Sequence, residues 1–230
     1  MIDLEKVKKV VINLERRPDR LKRFDDEMKF IGWDYNIFKA IDYGSYLGCA
    51  YSHQEVLRKF LASDEKYIMV LEDDCFFMPY SKNQLEKSLA ELNMIDWDYF
   101  HLGPSINCPV NNFSDNLLDL SKLPEQEDHH RGIYNTVCYI VNRKFAEMVL
   151  RWEESNLKAI DQYYYEDIFG KLKCYAPSLP IVTQQVGFSD INKTTDNNHY
   201  LITYNWNLYT KNKLDVSYYD INYCDKLKHS

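Results

Sequence analysis

Five consecutive apolar residues, Tyr67 to Leu71 (YIMVL), run straight into three acids, Glu72, Asp73 and Asp74. A continuous apolar run of this length reads as a strand buried on both faces, and such strands belong to sheets covered by helices. Further strand-like runs are KKVVINL (8–14), YNIFKAID (35–42), DYFHLG (98–103) and IYNTVCYIV (133–141). Helical spacing fills the gaps. Leu21, Phe24, Met28 and Ile31 lie between Pro18 and Gly32, and Val56, Leu57, Phe60 and Leu61 share one face of a helix over 49–62. Leu85, Leu89 and Leu92 mark another, and Phe145, Met148, Val149 and Trp152 follow Asn142, a good helix cap. Strands alternating with helices predict an α/β fold with a mainly parallel central sheet flanked by helices. Residues 104–131 show no periodicity and read as a long loop. A shorter helix is expected after Ile160, and PIVTQQ (180–185) is expected to be extended.

At 230 residues, 45% hydrophobic, the chain reads as a single domain with a sizeable core, its tail from Asn192 onward forming an extension of unassigned structure. A net charge of -7 argues against broad binding of nucleic acid. The six cysteines show no zinc-knuckle or redox spacing and read as reduced, structural residues of a reducing compartment. No secretory leader, transmembrane run or ER-retention tail is apparent, so the expectation is a cytoplasmic protein, of bacterial or viral origin. The sequons at Asn112 and Asn192 are then idle.

Three adjacent carboxylates at the end of a buried strand repel one another unless something positive lies between them. Ligands of α/β folds sit beyond the carboxyl ends of strands, where these acids fall. Strand alternation points Glu72 and Asp74 the same way, and a turn after Asp74 would bring Asp73 and Asp74 together as well. Either pair, completed by diphosphate oxygens and water, suits Mg²⁺ or Mn²⁺. The bland alternative is an acidic loop, solvated or paired with a lysine.

Two other segments add to this. VVINLERRPDRLKRF (10–24) puts Asn13, Arg16, Arg17 and Arg20 just after the first strand, and arginine forks suit phosphate, though Glu15 and Asp19 are available partners. In GCAYSH (48–53), Gly48 permits unusual backbone geometry, while Ser52 and His53 stand one turn before Val56 and Leu57 and face inward. A lone inward histidine is more often a satisfied core group than a ligand.

Taken in order, VVINLERRPDR, GCAYSH and YIMVLEDD resemble glycosyltransferase family 25, as do GIYNTVCYIVNRKFAEMVL (132–150), AIDQYYYEDIFGKLKCYAPSLPIVTQQ (159–185) and SDI (189–191). The resemblance covers about residues 8–191. It implies a GT-A-type fold with a D-x-D-like metal site and a UDP-sugar donor, galactose or glucose, transferred with inversion. Asn13, Leu14 and Arg17, with Ser52 and His53, are expected around the nucleotide-sugar. Asp74 is expected as the main Mn²⁺ (or Mg²⁺) ligand, with Glu72 either on the metal or on the ribose and Asp73 in support. His199 stands where such folds often add a late metal ligand. Inversion needs a carboxylate base; YEDI points to Asp167, and the family's own pattern to Asp161, with Glu166 a third candidate. The acceptor is a glycan or a hydroxylated protein, with His129 and His130 expected near it. The rival reading is a catalytically silent GT-A-like domain that binds glycan or protein. A metal-dependent phosphohydrolase or nuclease is also conceivable but lacks further clustered acids.

Overall fold

The computed structural model describes residues 2–106, 108–122, 132–156, 158–185, 187–191 and 195–196. Its strands are β1 (Lys8–Asn13), β2 (Asn36–Lys39), β3 (Tyr67–Glu72), β4 (Cys75–Phe77), β5 (Tyr99–His101), β6 (Ser105–Ile106), β7 (Asn111–Asn112), β8 (Leu117–Asp119), β9 (Ile133–Tyr134), β10 (Cys138–Asn142), β11 (Cys174–Pro177), β12 (Val182–Gln184), β13 (Gly187–Phe188) and β14 (Thr195–Asp196). The helices are α1 (Pro18–Ile31), α2 (Tyr46–Leu61), α3 (Ser81–Leu92), α4 (Arg143–Val149) and α5 (Ile160–Tyr163).

Eight strands form one sheet in the order β2-β1-β3-β10-β5-β11-β8-β7. β8 and β10 run against the others, so the sheet is mixed with most strands pointing one way. With helices packed against it, this is the GT-A-like α/β arrangement expected from the sequence. α1 begins at Pro18 and ends at Gly32, whose φ of 84° glycine adopts without strain. α2 starts earlier than its periodicity suggests, because the Ser45 side chain accepts the Leu47 N–H as a cap. The Asn142 side chain caps α4 by accepting the Phe145 N–H at 3.0 Å, as expected.

Alternation along the central strands sorts their side chains into two cores. Val10, Ile12, Ile68 and Val70 face the α2 side with Val56, Leu57 and Phe60. Val11, Met69 and Leu71 face the α1 side with Phe24 and Met28. Cys75 and Phe77 join the second core, and β4 pairs with β12, so the apolar residues after the acids serve packing.

Two expectations fail. The segment 133–141 is not one strand: Asn135 adopts φ 68°, which breaks the run into β9 and β10 and sends β9 to pair with β6. The span 104–131 is not a featureless loop either, since its described part holds β6, β7 and β8, strands too short to show a period. All five cysteines among the described residues are free thiols.

Candidate active site

Beyond the ends of β1 and β3 opens a cavity of about 820 Å³. α2 and the 40–46 segment form one wall, and residues 134–136 and 159–161 form the opposite one. Gly48 matters here for space rather than for φ: a Cβ would meet the Ile41 carbonyl oxygen at 2.5 Å. Ser52 Oγ donates to the Gly48 carbonyl at 2.6 Å and accepts the Ile41 N–H at 2.8 Å. Ser52, expected at the sugar-nucleotide, lines the cavity, and its hydroxyl also holds that wall in place.

The three acids diverge as strand alternation dictates. Glu72 continues the Ile68–Val70 face and meets α2: its Oε1 accepts the Thr136 hydroxyl and lies 3.4 Å from His53 Nε2. Asp73 turns to the α1 side, where Oδ2 accepts the Asn13 amide at 2.7 Å and Oδ1 the Arg20 guanidinium at 2.9 Å. β3 ends at Glu72, and the turn brings Asp74 round beside Asp73, its Oδ2 3.4 Å from the same guanidinium. So Asp73 and Asp74 share one counter-charge, the Arg20 guanidinium, whose side chain is only 14% exposed, while Glu72 stays close enough to act on Asp74. Arg20 also donates to the Phe188 carbonyl at 2.8 Å.

These settings move the carboxyls apart. Burial raises Asp74 to about 7; Glu72 and Asp73 add to the rise and Arg20 opposes it. Burial also raises Asp73, against the pull of Arg20 and Asn13. Glu72 is pushed up by burial too, but His53, Thr136 and Arg20 outweigh this and leave it below its ordinary value. Asp74 Oδ1 is buried without a hydrogen-bond partner.

The other acidic segment is divided. Asp161 lines the cavity, its Oδ2 accepting the Asn135 N–H at 3.0 Å and its Oδ1 the Gln162 N–H at 2.9 Å. Burial raises its pKa, against those two N–H donors. Asp167 does not line the cavity: a π-helical turn over Tyr164–Ile168 carries it outward, where it accepts from Lys158 at 2.8 Å. Glu166 shares that lysine at 2.9 Å.

Among the remaining expected residues, Leu14 lines the cavity, whereas Asn13 acts through Asp73. Arg17 does not line the cavity itself; it is bonded to Asp19 at 2.9 Å and, at 2.5 Å, to Asp190, which does. Arg16 lines the cavity and pairs with Asp190 at 3.0 Å and with Asp42. His53 is fully buried, its Nδ1 2.7 Å from the Tyr139 hydroxyl. His199, His129 and His130 lie outside the described residues. Cys49, Asn135 and Thr136 were missed by sequence reasoning; for Cys49 the signal was its four-residue spacing from His53 on one helix.

A family model described as glycosyltransferase family 25 (LPS biosynthesis protein) matches residues 44–164, more than half of the chain. The protein belongs to glycosyltransferase family 25. The family match spans α2, the three acids and Asp161, and stops before Glu166 and Asp167. A "Glycosyltransferase 25 family member" of Aedes aegypti is 28% identical over 124 residues, 40% of this chain and 20% of that protein. One from Anopheles gambiae is 23% identical over 185 residues, 66% of this chain and 30% of that protein. The chain thus spans less than a third of these curated relatives. A solved glycosyltransferase involved in glycosylation of the major capsid of PBCV-1 superposes with TM-score 0.44 at 13% identity, over 74% of this chain and 80% of that one. Likeness at that level carries no argument about chemistry. No helix among the described residues is long and apolar enough to cross a membrane.

Proposed function

We propose that this family 25 domain transfers a hexose, galactose or glucose, from a UDP-sugar to an acceptor hydroxyl with inversion. The observation that carries the reading is one cavity that gathers the Asp73–Asp74 turn, two arginines and Asp161. Asp161 is the base, in preference to Asp167. It faces the cavity, its raised pKa suits proton abstraction, and backbone N–H donors fix both of its oxygens. As it takes the acceptor proton, the acceptor oxygen bonds to the anomeric carbon and the carbon–oxygen bond to UDP breaks. Arg16 and Arg20 offer forked donors to the diphosphate.

Asp74 is the residue that would hold Mn²⁺ or Mg²⁺, through the oxygen that has no partner in the protein. When bound, the ion neutralises charge on the departing diphosphate. Asp73 supports from behind, tied to Asn13 and Arg20. The acceptor is a glycan or a hydroxylated protein.

The test is release of UDP from a panel of UDP-sugars, with Mn²⁺ and with chelator, alongside calorimetry of UDP binding. No UDP binding with Mn²⁺ present would overturn the proposal. Binding without donor hydrolysis or transfer would assign the domain to the silent, binding-only class. Full activity in Asp74→Ala would remove that residue from the mechanism.

A further inference from the structure

We infer that Cys49, His53 and Glu72 form a second cation site, fitted to zinc and its chemical relatives rather than to manganese or magnesium. The thiol and the imidazole stand four residues apart on α2, and Glu72 comes from the end of β3. One donor atom from each lies within 4.8 Å of the others, and all three residues line the cavity. Among the described residues this is the one such grouping; the oxygens of Glu72, Asp73 and Asp74 do not form one.

The decisive atom is His53 Nε2. The ring is fully buried, and Nε2 has no hydrogen-bond partner. It faces Glu72 Oε1 at 3.4 Å, but the contact is not aligned as a hydrogen bond. At the other edge of the ring, Nδ1 lies 2.7 Å from the Tyr139 hydroxyl, which is itself 3.3 Å from the Tyr164 hydroxyl. If Nδ1–H donates to Tyr139 and Tyr139 donates onward, Nε2 presents a lone pair to a carboxylate. Two lone pairs so placed are bridged either by a shared proton or by a metal ion. Two atoms bound at about 2.1 Å and separated by a tetrahedral angle stand about 3.4 Å apart, so the observed gap accommodates a zinc-sized ion.

Donor chemistry sets the selectivity. A thiolate, an imidazole and a carboxylate suit a borderline ion, whereas magnesium and manganese favour all-oxygen shells. A hydrogen bond from the distal imidazole nitrogen is the usual support for a metal-bound histidine, here supplied by Tyr139. On binding, the Cys49 thiol would lose its proton to solvent, and any further ligand would come from the cavity that all three residues line. The site differs from the Asp74 position in residues and in metal class, and it stands whether or not transfer from a UDP-sugar is confirmed.

The experiment is titration of the chelator-treated full chain with Co²⁺ alone, following thiolate-to-cobalt charge-transfer absorption in the near ultraviolet. The expected result is a band that saturates at one equivalent and is abolished by added Zn²⁺. It should vanish in Cys49→Ser, persist in Asp74→Asn, and require about tenfold more cobalt in Tyr139→Phe. Cys49→Ser is nearly isosteric at a half-buried position, so it keeps the test valid even if His53→Gln fails to fold. No band in the wild-type protein, or an undiminished band in Cys49→Ser, would overturn the site and leave His53 and Glu72 as an imidazole–carboxylate pair sharing a proton.

Discussion

The chain has two acid-rich segments, Glu72–Asp74 and Asp161–Asp167, and the backbone treats them differently. The first sits where a buried strand passes into a turn, and all three of its carboxyls end at the cavity. The second sits where a short helix passes into a π-helical turn; Asp161 points in, while Glu166 and Asp167 share Lys158 on the outside. Acid content was similar, but the conformation beneath it decided which carboxyls can do chemistry. The buried group needs a built-in counter-charge, Arg20, whereas the outer group uses a lysine about a third exposed.

The sharpest way to break this comparison is through turnover. Asp161→Asn should lower kcat by a factor of about 10² to 10⁴ with the fold intact, whereas Asp167→Asn should stay within about threefold of wild type. Equal losses from both variants, measured as UDP release, would erase the distinction.

Stability probes it next. Arg20→Met strands Asp73 and Asp74 without their cation and should cost about 3 kcal/mol in urea denaturation. The two acids can recover part of that by binding a proton; Asp74 already titrates at about 7 with Arg20 opposing the rise, so the loss should shrink as pH falls through about 7.

His101 links the two regions. Its Nε2–H donates to the Asn135 carbonyl at 3.1 Å and its Nδ1 accepts the Gly103 N–H at 3.1 Å, while the Asn135 N–H holds Asp161. The contact at Nδ1 requires the neutral form, since a protonated Nδ1 cannot accept the Gly103 N–H. Burial holds the ring at about 4, against an ordinary 6.5. Folding therefore disfavours the protonated ring: the contribution is complete above pH 6.5 and is lost as pH falls from 6.5 towards 4. Relative to His101→Gln, the wild-type protein should lose about 2 kcal/mol of stability between pH 7 and pH 5. A constant difference over that range would show that His101 does not titrate with folding.

The smallest effect belongs to the outer acids. Lys158→Met should change stability by about 0.5 kcal/mol or less, because the pairs it removes are partly exposed. A loss comparable to that of Arg20→Met would mean the outer cluster is as structurally committed as the inner one.

The fold was legible where periodicity was long. α1, α3, β1 and β3 follow from apolar spacing, and α2 differs only by the turn that Ser45 caps. β6, β7 and β8 were not legible, since two or three residues carry no period. The break at Asn135 escaped because asparagine tolerates positive φ without announcing it in sequence. Within the site, the acids at the end of β3 could be placed from the sequence, and the need for a positive group among them was foreseen. That Arg20 supplies it, while Arg17 is taken up by Asp19 and Asp190, is decided by tertiary contacts that the sequence pattern does not show. The choice between Asp161 and Asp167 depends on one extra residue in a helical turn, which side-chain pattern does not encode.

Arg20 also bears on how the site behaves between turnovers. The cavity carries its own guanidinium beside Asp73 and Asp74, so those carboxyls are partly neutralised within the protein itself. On the function proposed above, an anionic donor would meet ions that are already partly paired, and binding would be an exchange of partners. Its affinity should vary with ionic strength less steeply than a count of the charges at the site implies.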